Sequence, residues 1–259
     1  MWTTYQVTRR PLCSYVSFLW LSENYRQPHP VELILPTATV DMVVDLAQVD
    51  SPRSVLSGVQ SRAIELDTAG RLSLIGARFK PGGAFSLLGI PAVELHNCTV
   101  SLDTIWGYRG EQLREQLHLA KLPLERFQIL EVFLAERLHD GPPLSEAVRH
   151  SVNAIDGAGE TVSVQKLALR SGMSPIRFST LFGDHVGLTP KSYARIVRFQ
   201  RAIAAIGSAT HVDWASIALG CGYFDQAHFN HDFVGFCGLA PSKYLTDRTE
   251  HPNHVVKDP

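Results

Sequence analysis

Residues 163–193 and 214–244 carry one pattern twice, and this duplication limits what the chain can fold into more than any other feature. With an offset of 51, Phe178, Phe182, Gly187, Leu188, Pro190 and Tyr193 match Phe229, Phe233, Gly238, Leu239, Pro241 and Tyr244. Upstream, Ala168, Leu169 and Gly172 match Ala218, Leu219 and Gly222 at an offset of 50, so the second copy holds one extra residue in its turn. Stacked repeat folds need at least about three copies to bury their faces. Two copies point instead to a duplicated supersecondary unit.

Each copy reads as two helices about a tight turn. In the first, Ser163 caps a helix whose small Ala168 faces a crossing partner, Gly172 supplies the turn, and Ser174-Pro175 provides an N-cap followed by proline at the first helical position. The second helix runs to Val186. In the other copy Asp213 caps a helix holding Ile217 and Ala218, Gly222 turns the chain, and Asp225 caps a helix carrying Phe229 and Phe233. Thr189-Pro190 starts a linking helix that runs to about Ile206. Its Lys191, Arg195, Arg198 and Arg201 recur at i, i+4, i+7 and i+10 on one face, with Tyr193, Ile196, Val197 and Ile203 on the other. Such a stripe is either a solvated face or a phosphate-binding one.

The run S-x-x-x-F-x-x-x-F-x-x-x-x-G-L-T-P-x-x-Y, then R-x-x-x-A, then I-A-x-x-C-G-Y-x-D-Q-A-H-F-x-x-x-F-x-x-x-x-G-L-A-P-x-x-Y, resembles the double helix-turn-helix domain of the AraC/XylS family of bacterial transcription regulators. The resemblance covers Leu144 to Leu245 and includes both copies, the linking helix and their order. It implies double-stranded DNA as the partner and RNA polymerase as a second one; a cytoplasmic protein is what the four scattered cysteines, read as reduced thiols, suggest. The resemblance also implies that Ile176, Arg177, Ser179, Thr180 and Gly183 in the first copy, and Gln226, Ala227, Asn230, His231 and Val234 in the second, are the exposed positions of the reading helices. The amides of Gln226 and Asn230 suit adenine, and Lys191, Arg195 and Arg198 lie near the phosphates. The family has arginine where this chain has Thr180 and His231, and a basic residue where it has Gly183 and Val234. Each lost phosphate contact removes nearly one unit from the salt slope, so weaker DNA binding is expected than from a typical member. The competing reading is a degenerate module whose helices serve protein contacts.

Upstream of the repeat the chain changes character. Val31 to Leu35, Thr39 to Leu46, Ser54 to Val59, Ala63 to Leu66 and Leu72 to Phe79 are short Val-, Ile- and Leu-rich runs between Pro, Gly, Ser and Asp turn signals. They predict a small β-barrel or curled sheet, and Phe79-Lys80-Pro81-Gly82-Gly83 turns its last strand into a helix. Leu113, Leu117, Phe127, Leu130, Phe133 and Leu134 then fall at helical spacing, as two helices broken near Pro123. Asp140-Gly141-Pro142-Pro143 marks a boundary. The expected organisation is α+β: a β-rich domain over 1–140 that senses a ligand or dimerises, an all-α double helix-turn-helix domain over 144–246, and a polar tail over 247–259. The Leu35-Pro36 to Asp45 segment and the Arg78 to Ala84 run resemble the poorly characterised domain that accompanies the module in one subfamily.

Charge follows the same division. Although the whole chain is at −1, residues 161–246 hold eight Lys and Arg against four Asp, and the first 160 residues are at −4. A basic half beside an acidic one points to a polyanion partner for the former. Arg9 and Arg10 ahead of Pro11–Leu21 imitate a signal peptide, but no small-x-small site follows and Glu23 and Arg26 come at once. Cys13, Cys98, Cys221 and Cys237 form no C-x-x-C pair and read as reduced thiols, mostly buried. His228 and His231 lack a third ligand nearby, and His29 and Glu32 lack the H-x-H element of a cupin-like site, so they read as a surface loop and no metal or other cofactor is expected. Neither an activated nucleophile nor an acid–base pair nor a phosphate loop is recognisable, so no enzyme is expected. A small-molecule effector would sit in an apolar pocket lined from Val31 to Leu46 and Leu72 to Phe79; the competing reading is that these residues fill a dry core. A homodimer is left open.

Overall fold

A computed structural model describes residues 2–26, 29–48, 53–68, 71–157, 163–207 and 211–257. The N-terminal half is an antiparallel sheet of six strands in the order β1 (Trp2–Tyr5), β2 (Val16–Arg26), β7 (Arg71–Phe79), β4 (Asp41–Asp45), β5 (Val55–Ser57) and β8 (Thr99–Ser101). A second sheet orders β6 (Ile64–Asp67), β3 (Val31–Ile34) and β9 (His254–Val256). Among the described residues the first and last strands of the large sheet do not pair with each other, so this sheet does not close into a barrel.

The signal-peptide imitation turns out to be the long central strand β2. Leu19 and Leu21 are fully buried on one face, while Trp20 between them stacks on Trp2 at 4.9 Å, which is the period-two alternation of a half-buried strand. The apolar runs expected to line a pocket form part of one continuous core: Leu35, Met42, Val44, Ile75, Ala77 and Phe79 are each at most 1% exposed. Behind the sheet come α1 (Gly83–Leu88), α2 (Leu102–Trp106), α3 (Tyr108–Leu119) and α4 (Pro123–Asp140). Pro123 opens α4, and Phe127 of that helix stacks on Tyr5 at 5.2 Å to hold it against the sheet. An ion pair of 2.6 Å from Arg126 to Glu23 ties it to β2.

The C-terminal half contains α5 (Glu146–Gly157), α6 (Val164–Arg170), α7 (Pro175–Val186), α8 (Pro190–Ile206), α9 (Trp214–Gly220), α10 (Gln226–Cys237) and α11 (Pro241–Asp247). Residues 247–257 do not form the polar tail expected of them. After α11 the chain returns to the N-terminal half, where β9 pairs antiparallel with β3 and Val255 is fully buried. Its edge pairing satisfies backbone groups that a tail would leave to water. The same pairing moves Glu32 out of the surface loop assigned to it: it is fully buried in β3 and meets His254 Nδ1 at 2.9 Å. Of the four thiols, all free, Cys221 and Cys237 are buried, Cys13 is half-buried and Cys98 is exposed. Among the described residues no helix is long and apolar enough to cross a membrane, and no cluster of His, Cys, Asp and Glu could hold a metal ion.

The two halves share a core. α7 packs on α1 and on the 3-10 helix Ala92–Leu95, and the Phe85 ring lies 4.4 Å from His185. His185 is 4% exposed with Nδ1 buried and unpartnered, and burial lowers its pKa against the opposing pull of Asp184. A folded-state pKa below the ordinary value means that unfolding takes up a proton. The stability held by neutral His185 is therefore present above the ordinary histidine pKa of about 6.5 and is lost as pH falls through that region, by at most about 1.4 kcal/mol per pH unit. Thermal melts between pH 8 and 5 should show this loss, and His185→Phe, which places the second copy's residue at the matching position, should flatten it. An unchanged slope in the variant would assign the acid sensitivity to other groups.

Candidate nucleic-acid interface

The two copies fold alike down to individual hydrogen bonds. In the first turn Met173 N donates to Ala168 O at 3.0 Å and Gly172 N to Leu169 O at 3.1 Å; in the second, Tyr223 N donates to Ala218 O at 2.9 Å and Gly222 N to Leu219 O at 3.1 Å. Gly172 and Gly222 take φ of +65° and +81°, the left-handed conformation that lets the chain reverse between helices. Every cap named from the sequence is in place: Ser163, Ser174, Thr189, Asp213 and Asp225 all accept backbone N–H groups of their first turns. Ala168 and Ala218 are fully buried where the helices cross. The aromatic cores repeat as well, with Phe182 against Tyr193 at 5.7 Å and Phe233 against Tyr244 at 5.4 Å, both edge-on.

This packing sorts the candidate residues. With Phe178 and Phe182 buried, α7 presents Ile176 at 82% exposure, together with exposed Arg177 and Thr180; Ser179 is half-buried. Gly183, expected to be exposed, is buried, because a glycine has no side chain to reach past its helical neighbours; a Cβ added there would meet nothing within 4 Å. On α10 the residues Gln226, Ala227, Asn230, His231 and Val234 are all exposed, opposite buried Phe229 and Phe233. Phe224, one residue before the Asp225 cap, is 86% exposed and is absent from the positions that the resemblance implies. Its signal was legible, since it is the aromatic in the turn without a counterpart in the core pattern.

The basic stripe of α8 is divided between solvent and protein. Lys191 is exposed. Arg195 and Arg198 instead both bind Asp232 of α10, at 2.6 and 3.0 Å, and Arg198 lies over the Tyr223 ring at 4.4 Å. Arg201 donates to Ile155 O and Asp156 O at 3.1 and 2.6 Å, satisfying carbonyls at the end of α5. Four cations at helical spacing therefore do not make one free phosphate-binding face. The reason is Asp232: at 3% exposure its carboxylate requires charged donors, and α8 is the helix that faces it. Burial raises the Asp232 pKa, but the two arginines outweigh it and hold the carboxyl below its usual range. No spacing rule within one helix reveals a partner on another.

Residues 167–247 match the family model of a helix-turn-helix domain, and residues 8–101 match a domain of unknown function (DUF6597). An HTH-type transcriptional regulator of Mycobacterium tuberculosis is 31% identical over 87 residues, which is 34% of this chain and 33% of that protein. XylDLEGF operon transcriptional activator 3 of Pseudomonas putida is 30% identical over 115 residues, 44% of this chain and 34% of the activator. The chain thus spans about a third of the length of these curated relatives. Among solved structures, a probable AraC family transcriptional regulator from Rhodopseudomonas palustris is 29% identical and covers 39% of this chain and 96% of its own, with a TM-score of 0.35. ToxT from Vibrio cholerae is 11% identical over 95% of this chain and 97% of its own, with a TM-score of 0.43.

Proposed function

We infer from the AraC-type helix-turn-helix domain at residues 167–247 that this chain is a sequence-specific DNA-binding transcription regulator. The observation that carries the inference is the exposed start of both second helices: equivalent turns and cores project Ile176, Arg177 and Thr180 from one unit and Gln226, Ala227, Asn230 and His231 from the other. A helix presented in this way fits the major groove, where its first exposed residues meet base edges. Gln226 and Asn230 read bases in this scheme, Lys191 contacts phosphate, and Arg195 and Arg198 act mainly by holding α10. With so few free cations on the reading helices, affinity rests more on base and shape contacts than on counterion release. RNA polymerase and a second copy of the chain are the partners this role calls for, and an effector would act through the contacts that the N-terminal half makes with both units.

Selection from a random pool of duplex DNA by the full chain tests the proposal. One enriched motif is expected, bound more weakly as salt rises. Gln226→Ala and Asn230→Ala should each cost about 1–3 kcal/mol on that motif and relax preference at one base position. A pool that returns no motif, with no shift of any duplex in gels, would leave the helices to protein contacts instead.

A further inference from the structure

We propose, resting on the reading that both units bind DNA, that the loop 58–63 together with residues 95–98 is a positioning brace that sets the separation and tilt of the two reading helices. The helix-turn-helix units are joined along the chain by α8, which grips the second unit through Arg195, Arg198 and Asp232. That is one connection, and a single helix between two small bodies leaves a pivot. The N-terminal half supplies another at the far end of both reading helices. Val59 reaches the end of α7, where a Cβ added to the C-cap Gly187 would lie 3.1 Å from Val59 Cγ2 and 3.0 Å from Ala92 O. Four residues on, Ala63 N donates to Phe236 O near the end of α10 at 2.8 Å.

The two contact points correspond. At the offset of 51, Phe236 is the counterpart of His185, and Gly238 that of Gly187. One short segment therefore holds the same turn of both copies, on the end away from Arg177 and Gln226. The segment is itself rigidly seated. Gly58 N donates to Cys98 O at 2.9 Å and Asn97 N to Val59 O at 3.0 Å. Ser61 N donates to Asn97 Oδ1 at 2.8 Å and Asn97 Nδ2 to Ser61 Oγ at 3.0 Å. Asn97 holds the left-handed conformation at φ +56°, and any side chain at Gly58 would collide with the Leu95 carbonyl. α8 at one side and this brace at the other close a frame around the two units. Paired reading helices must meet successive major grooves roughly 34 Å apart, so a frame that removes the pivot spares the ordering cost at binding.

The test measures distance and affinity separately. In a Cys13→Ser, Cys98→Ser background, spin labels at Thr180→Cys and Asn230→Cys report the spacing of α7 and α10 by pulsed dipolar spectroscopy. Asn97→Gly keeps the backbone conformation and removes all three hydrogen bonds between Asn97 and Ser61; Ser61→Ala is the milder second variant and carries the test if the first does not fold by circular dichroism. A single narrow distance is expected in the parent and a broadened one in the variants. On the unlabelled chain, affinity for the pool-selected duplex should fall about five- to tenfold, with binding to a duplex keeping one half-site unchanged. Distance distributions that superimpose on the parent, or equal losses on both duplexes, would overturn the brace. If distances broaden while the parent selects no DNA, the brace stands and the DNA-binding reading falls.

Discussion

Phe229→Ala should lower the stability of the chain by about 3–5 kcal/mol and abolish binding by the second unit before the first. Phe229 is fully buried, and three rings converge on it: Tyr223 at 5.3 Å, Phe233 at 5.4 Å and Trp214 at 6.1 Å. Trp214 comes from α9, Tyr223 from the turn and Phe233 from α10, so this one side chain joins all three parts of the unit. Truncation removes its transfer free energy and leaves a void that aromatic neighbours on short helices cannot close. Denaturant melts read the loss, and footprints on the selected duplex should lose one half-site. A loss below about 1 kcal/mol would mean that the unit collapses onto the gap, contrary to the packing described.

Asp232→Ala should cost about 3 kcal/mol, in the range for removing one partner of a buried ion pair. The alanine leaves Arg198, whose side chain is 16% exposed, without its carboxylate, while Arg195 at 44% can turn to water; the expected loss therefore lies at the low end of that range. Asp232→Asn keeps an acceptor and should lose less. The acid dependence has a definite sign. Because the folded-state pKa of Asp232 is depressed, its contribution is fully present above the ordinary carboxylate value of about 3.9 and is lost as pH falls below it. Melts between pH 6 and 3 should converge for wild type and Asp232→Asn at the acidic end. Parallel curves over that range would show that the arginines do not hold the carboxylate in its charged form.

These two positions mark how far the chain could be read. Phe229 was legible as core because its counterpart Phe178 recurs at a fixed offset with the same neighbours, and a repeated apolar position at helical spacing has few other uses. The caps were legible for a similar reason: Ser174-Pro175 and Thr189-Pro190 act within four residues of themselves, and local chemistry does not depend on the rest of the fold. Asp232 was not legible as a clamp. It lies 34 residues from Arg198 and 37 from Arg195, and the stripe on α8 looks the same whether it faces phosphate, water or a carboxylate. Gly183 failed as an exposed position for a different reason: with no side chain its backbone lies sunk among the side chains of its own helix, although the space beside it is open.

Local periodicity and capping, acting over a few residues, determined from the sequence alone that residues 163–244 form two helix-turn-helix units on a linking helix, with strands before them. Tertiary structure alone decided that β9 returns from beyond the second unit to pair with β3, that Glu32 thereby becomes buried beside His254, and that one loop reaches the same turn of both reading helices. The physical difference is range. A cap or an amphipathic face is satisfied by neighbours along the chain, whereas strand pairing, ion pairs between helices and the docking of one half on the other depend on which surfaces meet once everything is folded.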